Sequence, residues 1–353
     1  MVLAEPLGSL TYLRSGTYIR AYHIDFLLGA SILKAMIVLV PEHLRDELLG
    51  PAREAAPQAE LLPYDETGAL PDGLDRAVAV LRWVAGKEFA RIVPLAPQVR
   101  WLHTASAGVD HVLTPDIRAK AGLLVTDSGP AFEIALSEFV LAWMLLVARG
   151  LPALMENQRA HKWQSVPQFE LHGKTVGIIG LGPIGRGTAR LTKAFGMRTL
   201  GLRRVSAPVE GVDEVLTGPE GLAHLLASSD FVVIAAALTG ETNALIGSDQ
   251  LARMRPNAWL INIARGGLVD EPALIAALQT GKIAGTCLDV FAQEPLPEGS
   301  PLWDLPNVHI APHNSPGWDP NLRARQRAIF LDNLARFTRG EALTNVVDIT
   351  RGY

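Results

Sequence analysis

The sequence predicts an α/β protein built from two doubly wound parallel-sheet domains, the second inserted into the first. Three observations carry this. From Lys34 onward short apolar runs alternate with helical stretches, which is the pattern of βαβ winding. A turn signal at Asp127-Ser128-Gly129-Pro130 interrupts the alternation, and a second series begins at Lys174. A length of 353 residues suits two cores better than one.

The elements follow in order. Residues 36–40 read as a first buried strand, 42–49 as a helix, and 77–83 and 99–104 as further strands. Residues 133–149 read as a long amphipathic helix, because Ser-Gly-Pro stops what precedes it and an acidic residue opens it. The second series has strands at 175–179, 198–202, 231–235, 259–262, 285–290 and 308–311, with 271–279 the clearest helix. After Pro312 and Pro316-Gly317, residues 322–339 return to a helical period. The expected spans are 36–130 and 316–353 for the outer domain and 131–315 for the inserted one. Residues 1–35 show no clear period and read as an N-terminal extension, either a tail or an upstream-start artefact.

Composition narrows the function classes. Apolar residues at 48% and charged residues at 19% describe a folded globular chain rather than a disordered one. A net charge of -4 offers no basic face for nucleic acid or an anionic membrane. The apolar stretch 134–148 is interrupted by Glu138 and falls short of the roughly 20 residues a crossing helix needs, so no membrane span is expected. Cys287 stands alone, which excludes an internal disulfide and fits a cytoplasmic protein; its apolar neighbours mark it as a small buried hydrophobe. The histidines show no metal-ligand spacing, and no catalytic metal is expected.

Two motifs carry chemistry. Gly180-Leu181-Gly182-Pro183-Ile184-Gly185 is a GxGxxG run directly after a strand and before a helix. Gly180 serves the tight turn, Gly182 the approach of a pyrophosphate and Gly185 close helix packing, while the helix start offers N–H groups to phosphate. A bare glycine-rich turn is the duller reading; the strand–turn–helix context favours a dinucleotide on a Rossmann domain. The next strand ends in Leu202-Arg203-Arg204 with no carboxylate before Glu210. An enzyme that holds the ribose hydroxyls of NAD usually has an acid there, whereas guanidinium binds a 2′-phosphate. NADP is therefore the preferred cofactor, with NAD possible; a merely solvated turn is the alternative.

Three later stretches arrive in order: Ile261-Asn262-Ile263-Ala264-Arg265-Gly266-Gly267, Leu288-Asp289-Val290-Phe291-Ala292-Gln293-Glu294-Pro295, and Ala311-Pro312-His313-Asn314. With the glycine loop, the chain resembles the D-isomer-specific 2-hydroxyacid dehydrogenases, the glyoxylate/hydroxypyruvate reductase branch in particular, from about Met36 to Asn345-Val346-Val347-Asp348. The resemblance implies an oxidoreductase moving a hydride between a nicotinamide and a small 2-hydroxy or 2-keto acid. It implies a Rossmann cofactor domain inserted into a flavodoxin-like substrate domain, with a cleft between them, and a homodimer formed through the cofactor domain. It makes Arg265 the substrate anchor, His313 the acid/base and Glu294 its orienting partner. Ala107, Gly108 and Val109, within Ser106–Asp110, become the substrate-carboxylate loop. Pro183, Ile184, Ala236, Thr242, Ile263 and Asp289 join Gly180, Gly182, Gly185, Arg203 and Arg204 as cofactor positions.

The residue types suit that chemistry. Histidine as a type titrates near neutrality and can supply the proton for an alkoxide. A carboxylate on its far nitrogen favours imidazolium and fixes the tautomer. Arginine matches a carboxylate with a planar fork. Singly, Arg265 reads as a turn arginine, Glu294 as a loop carboxylate and His313 as a satisfied histidine; together they stand at the ends of successive strands. Ala236-Ala237 replace a proline common in the family, and Asn314-Ser315-Pro316-Gly317 is unusual after the histidine. His309 reads as structural, and His103 and His111 as surface or packing residues. Two rival functions use the same scaffold: a corepressor-like NAD(P)H sensor, and a dehydrogenase of another small anion such as phosphite.

Overall fold

The computed structural model describes residues 10–12, 18–20, 36–65, 71–83 and 89–353. Within the expected N-terminal extension, β1 (Leu10–Tyr12) and β2 (Tyr18–Arg20) pair antiparallel, although no period marked them. The rest of that extension lies outside the described residues. The chain divides into two compact units. One runs to Ser128 and resumes over Arg323–Arg351; the other is Gly129–Leu322.

The first unit is a five-stranded parallel sheet of β3 (Met36–Pro41), β4 (Ala59–Tyr64), β5 (Ala77–Arg82), β6 (Trp101–Thr104) and β7 (Leu124–Asp127), in the order β4-β3-β5-β6-β7. This is the flavodoxin-like winding, with its switch point beside the first strand. A 3-10 turn, Glu42–Leu44, leads directly into the first α-helix, Arg45–Ala55, so the helical run starts where the sequence suggests and continues through Pro51 rather than stopping before it. The C-terminal helix Pro320–Thr338 supplies Phe330, Leu334 and Phe337 to this core. Phe330 stacks on the fully buried Trp101 at 5.7 Å between ring centroids.

The second unit holds β8 (Thr175–Ile179), β9 (Arg198–Leu202), β10 (Glu214–Leu216), β11 (Phe231–Ile234), β12 (Trp259–Asn262), β13 (Gly285–Leu288) and β14 (Val308–Ile310). All seven are parallel, in the order β10-β9-β8-β11-β12-β13-β14, the doubly wound dinucleotide-binding order extended by one strand. Strands that face helices on both sides must be apolar throughout, and β11 and β13 are buried at every residue.

The apolar helix needs a correction. With the turn Gly129–Phe132 ahead of it, Glu133–Ala148 makes a 20-residue segment long and apolar enough to cross a membrane by length and composition. The length argument against a span therefore does not hold. The segment instead packs as a helix of the second unit, where Glu133 pairs with Arg190 of the helix Pro183–Ala194. His309 is structural, stacked between Trp143 and Trp259 at 5.9 and 5.6 Å. Cys287 is buried, and burial pushes its thiol well above the usual range.

Candidate active site

The phosphate loop follows from the switch point between β8 and β11. Gly180 takes φ of 98°, a left-handed conformation that glycine alone adopts freely. A Cβ on Gly185 would lie 1.9 Å from the Gly180 carbonyl oxygen, so the helix can start this close only with glycine there. Gly182 differs: a Cβ built on it meets nothing within 4 Å, leaving open space above the loop. Among the described residues the N–H groups of Leu181, Gly182 and Ile184 donate to no protein acceptor. Free amides around an open glycine at a helix start fit a pyrophosphate.

Neighbouring strands deliver the other cofactor candidates. The Gly180 amide donates to the Leu202 carbonyl at 3.0 Å, which brings the end of β9, and hence Arg203 and Arg204, beside the loop. Arg203 is half-buried and Arg204 exposed. Ala236 lies on the other side, its amide nitrogen 2.7 Å from where a Gly180 Cβ would stand. Thr242 has a local task. Its hydroxyl donates to the Ala237 carbonyl at 2.7 Å and accepts the Thr239 amide at 2.8 Å, tying down the loop after β11. Ile263 is buried just past β12.

The catalytic candidates stand at the carboxyl ends of β12, β13 and β14, which are adjacent in the sheet. Buried Asn262 ends β12 and braces the next turn: its amide nitrogen donates to the Arg265 carbonyl at 2.9 Å, and its oxygen accepts the Ala264 amide at 3.1 Å. Gly266 then meets the following loop so closely that a Cβ would sit 1.9 Å from the Phe291 carbonyl. Beyond Phe291, Glu294 accepts the Phe291 amide with Oε1 at 3.0 Å and contacts His313 Nδ1 with Oε2 at 2.7 Å. The half-exposed His313 thus has one ring nitrogen held by a carboxylate and leaves Nε2 for other chemistry. Arg265 is half-buried, with Nη1 on the Ala264 carbonyl.

Asp289 does something the sequence did not reveal. Its fully buried carboxylate accepts the Asn314 amide at 2.7 Å and the Ser315 amide at 3.1 Å, and its carbonyl accepts the His313 amide at 2.8 Å. It therefore shapes the turn that presents the histidine. Burial pushes its carboxyl above the usual range, and the bonds from Ser315 and Asn314 pull it partly back. From the sequence, Asn262 was visible only as a motif letter and Asp289 only as a cofactor position, because a bracing role depends on which amide the side chain meets.

Ala107, Gly108 and Val109 belong to the first unit, in the loop leaving β6. Their three consecutive N–H groups donate to no acceptor among the described residues, while the Val109 side chain anchors in the core. This is a ready acceptor of an anion. His103, expected as a surface or packing residue, is fully buried. Its nitrogens lie 2.8 Å from Thr126 Oγ1 and 3.1 Å from Ser128 Oγ, and burial pulls its pKa down to about 3.

Comparison with known proteins identifies the family. Residues 141–315 match the NAD-binding domain model of the D-isomer specific 2-hydroxyacid dehydrogenases. A glyoxylate reductase of Korarchaeum cryptofilum is 36% identical over 269 residues, which are 73% of this chain and 79% of that protein. The structure of a D-isomer specific 2-hydroxyacid dehydrogenase from Xanthobacter autotrophicus, in complex with NADPH and MES, is similar with a TM-score of 0.79 at 32% identity, covering 91% of this chain and 100% of that one. An NADPH-dependent glyoxylate/hydroxypyruvate reductase from Sinorhizobium meliloti, in complex with NADP and sulfate, gives a TM-score of 0.75 at 29% identity over 90% and 100% of the two chains. With a phosphate loop at the switch point, an arginine, a glutamate and a histidine on three adjacent strand ends, and relatives that span most of its length, the chain belongs to the D-isomer-specific 2-hydroxyacid dehydrogenase family.

Proposed function

We propose that this protein is a cytoplasmic NADPH-preferring reductase of small 2-keto acids of the glyoxylate or hydroxypyruvate kind. The observation that carries the reading is the 2.7 Å contact between Glu294 Oε2 and His313 Nδ1 beside the Arg265 turn. A bound nicotinamide supplies the hydride to C2. Everything else falls to this chain. Arg265 grips the carboxylate and polarises the carbonyl, since its charge is permanent and its fork planar. His313 gives the proton on Nε2 to the oxygen that becomes the hydroxyl, and Glu294 steadies the imidazolium through Nδ1. In the first unit, the amides of Ala107, Gly108 and Val109 are candidate donors to a substrate carboxylate.

Gly180, Gly182, Pro183, Ile184 and Gly185 would hold the pyrophosphate, with Ala236 and Ile263 lining the cofactor. Arg203 and Arg204, where an NAD enzyme would carry an acid, support the 2′-phosphate of NADP; the complexes of the Xanthobacter and Sinorhizobium proteins support the same choice. A homodimer through the second unit is supported by the exposed Ile134, Leu151, Met155 and Phe169 around its apolar helix.

The test is an NADPH and NADH oxidation screen over glyoxylate, hydroxypyruvate, pyruvate and bulkier 2-keto acids. The smallest acids with NADPH should be fastest. Replacing Arg203 and Arg204 by Ala should weaken NADPH about 10- to 100-fold and NADH far less. Protein that quenches NADPH fluorescence yet oxidises it with none of these acids would favour a sensor instead.

A further inference from the structure

Arg82 ends β5 and is only 4% exposed, a buried guanidinium with no task assigned so far. Its Nη1 donates to Thr104 Oγ1 at 3.0 Å. Thr104 Oγ1 lies 2.8 Å from Ser106 Oγ, and Ser106 Oγ donates to the Gly108 carbonyl at 2.9 Å. Each hydroxyl has a single proton, so the direction of this chain of bonds is determined. Ser106 spends its proton on Gly108 and must accept from Thr104, whose lone pair receives Arg82. The far end of the relay is a peptide plane. In a planar trans peptide the C=O and N–H point opposite ways, so holding the Gly108 oxygen aims the Val109 N–H away from it. That N–H donates to no acceptor among the described residues. The Arg82 carbonyl also accepts the Ala105 amide at 2.9 Å, so backbone and side chain of one residue both restrain the loop.

We propose that Arg82, acting through Thr104 and Ser106, is a positioning residue that orients the Gly108–Val109 peptide toward the substrate carboxylate, an inference that rests on reading residues 106–110 as the carboxylate loop. A buried charge at the head of the relay polarises every bond along it, and the low-dielectric surroundings strengthen the effect. The consequence is specific. Loss of the relay should loosen the grip on the carboxylate and leave proton transfer at His313 and cofactor binding alone.

The experiment compares wild type with Arg82→Met, Arg82→Lys, Thr104→Val and Ser106→Ala, all loaded with NADP. Oxalate, a two-carbon dicarboxylate, is titrated while the backbone amide resonances of Ala107, Gly108 and Val109 are followed, and glyoxylate kinetics are measured in parallel. In wild type the Val109 amide should shift on oxalate binding. Arg82→Met and Thr104→Val should each weaken oxalate and raise KM about tenfold with kcat within about twofold, as loss of one charge-assisted hydrogen bond predicts. Arg82→Lys should recover part of the loss. Combining Arg82→Met with Thr104→Val should cost little more than either alone, because both cut one relay. If wild-type amides shift while the variants keep wild-type KM and oxalate affinity, the relay is rejected and the loop assignment stands. If the wild-type amides of the loop ignore saturating oxalate, the loop assignment fails and takes the relay with it. Variants that lose kcat, NADPH affinity and melting temperature together would reduce Arg82 to a structural role and overturn the proposal.

Discussion

His313 holds a φ of 51°, a left-handed conformation that costs a residue with a Cβ on the order of 1–3 kcal/mol. Bonds donated by three successive amides to the Asp289 carbonyl and carboxylate offset that cost and leave the ring against Glu294. Strain sustained at this point of the loop is what a fixed proton donor requires. His313→Ala should lower kcat about 10²- to 10⁴-fold with NADPH affinity little changed. Glu294→Gln keeps an acceptor for Nδ1 but removes the charge and should cost about tenfold. Arg265→Lys should act mainly on KM, because ammonium cannot form the fork. Steady-state kinetics with NADPH fluorescence titration separate these effects, and full turnover in His313→Ala would remove the proton-transfer role.

Strands and turns show why some elements were legible and others were not. Interior strands β8, β9 and β12 coincide with their apolar runs. In the two parallel sheets, the strands that the sequence did not mark, β4, β7 and β10, all lie at sheet edges. An edge strand has one neighbour and a wetter face, so it tolerates Pro63 in β4 and the acidic residues Asp127 in β7 and Glu214 in β10, which dilute the apolar signal. The turns carry the opposite lesson. Gly266 lies against the Phe291 backbone, and this close approach couples the Arg265 turn to the loop bearing Glu294. Gly266→Ala forces the two apart. It should destabilise the protein by about 1–3 kcal/mol and lower kcat/KM for the 2-keto acid, while NADPH binding on the glycine loop persists. A variant with wild-type kcat/KM would show that the coupling is dispensable.

At the scale of the whole molecule, stability should depend on pH through His103. Its folded pKa is about 3 against 6.5 in the unfolded chain, so the unfolded chain takes up a proton first as pH falls. The stability it contributes is complete above pH 6.5 and is lost as pH falls toward 3, at about 1.4 kcal/mol per pH unit. Urea unfolding at pH 7.0 and pH 4.5 (chosen assay conditions) should show His103→Gln with a shallower fall than wild type. Equal falls would contradict the assignment. Assembly is the second property at this scale. Ile134→Glu with Met155→Glu should convert a dimer into a monomer in sedimentation velocity, since charge replaces apolar area that a partner would cover. An unchanged sedimentation coefficient would move the interface elsewhere.

The sequence alone predicted two doubly wound parallel sheets and the phosphate loop, and its motifs named the arginine, glutamate and histidine as candidates. These properties depend on short-range patterns: apolar runs that must be buried on both faces, glycines that the backbone requires, and residue types at strand ends. Only the tertiary structure decided which groups serve those residues. Asp289 shaping the His313 turn and Arg82 behind the Gly108 carbonyl each depend on a hydrogen bond between chain segments. Such a bond has no period and no local propensity; it exists only once folding has brought its donor and acceptor within 3 Å or so of each other.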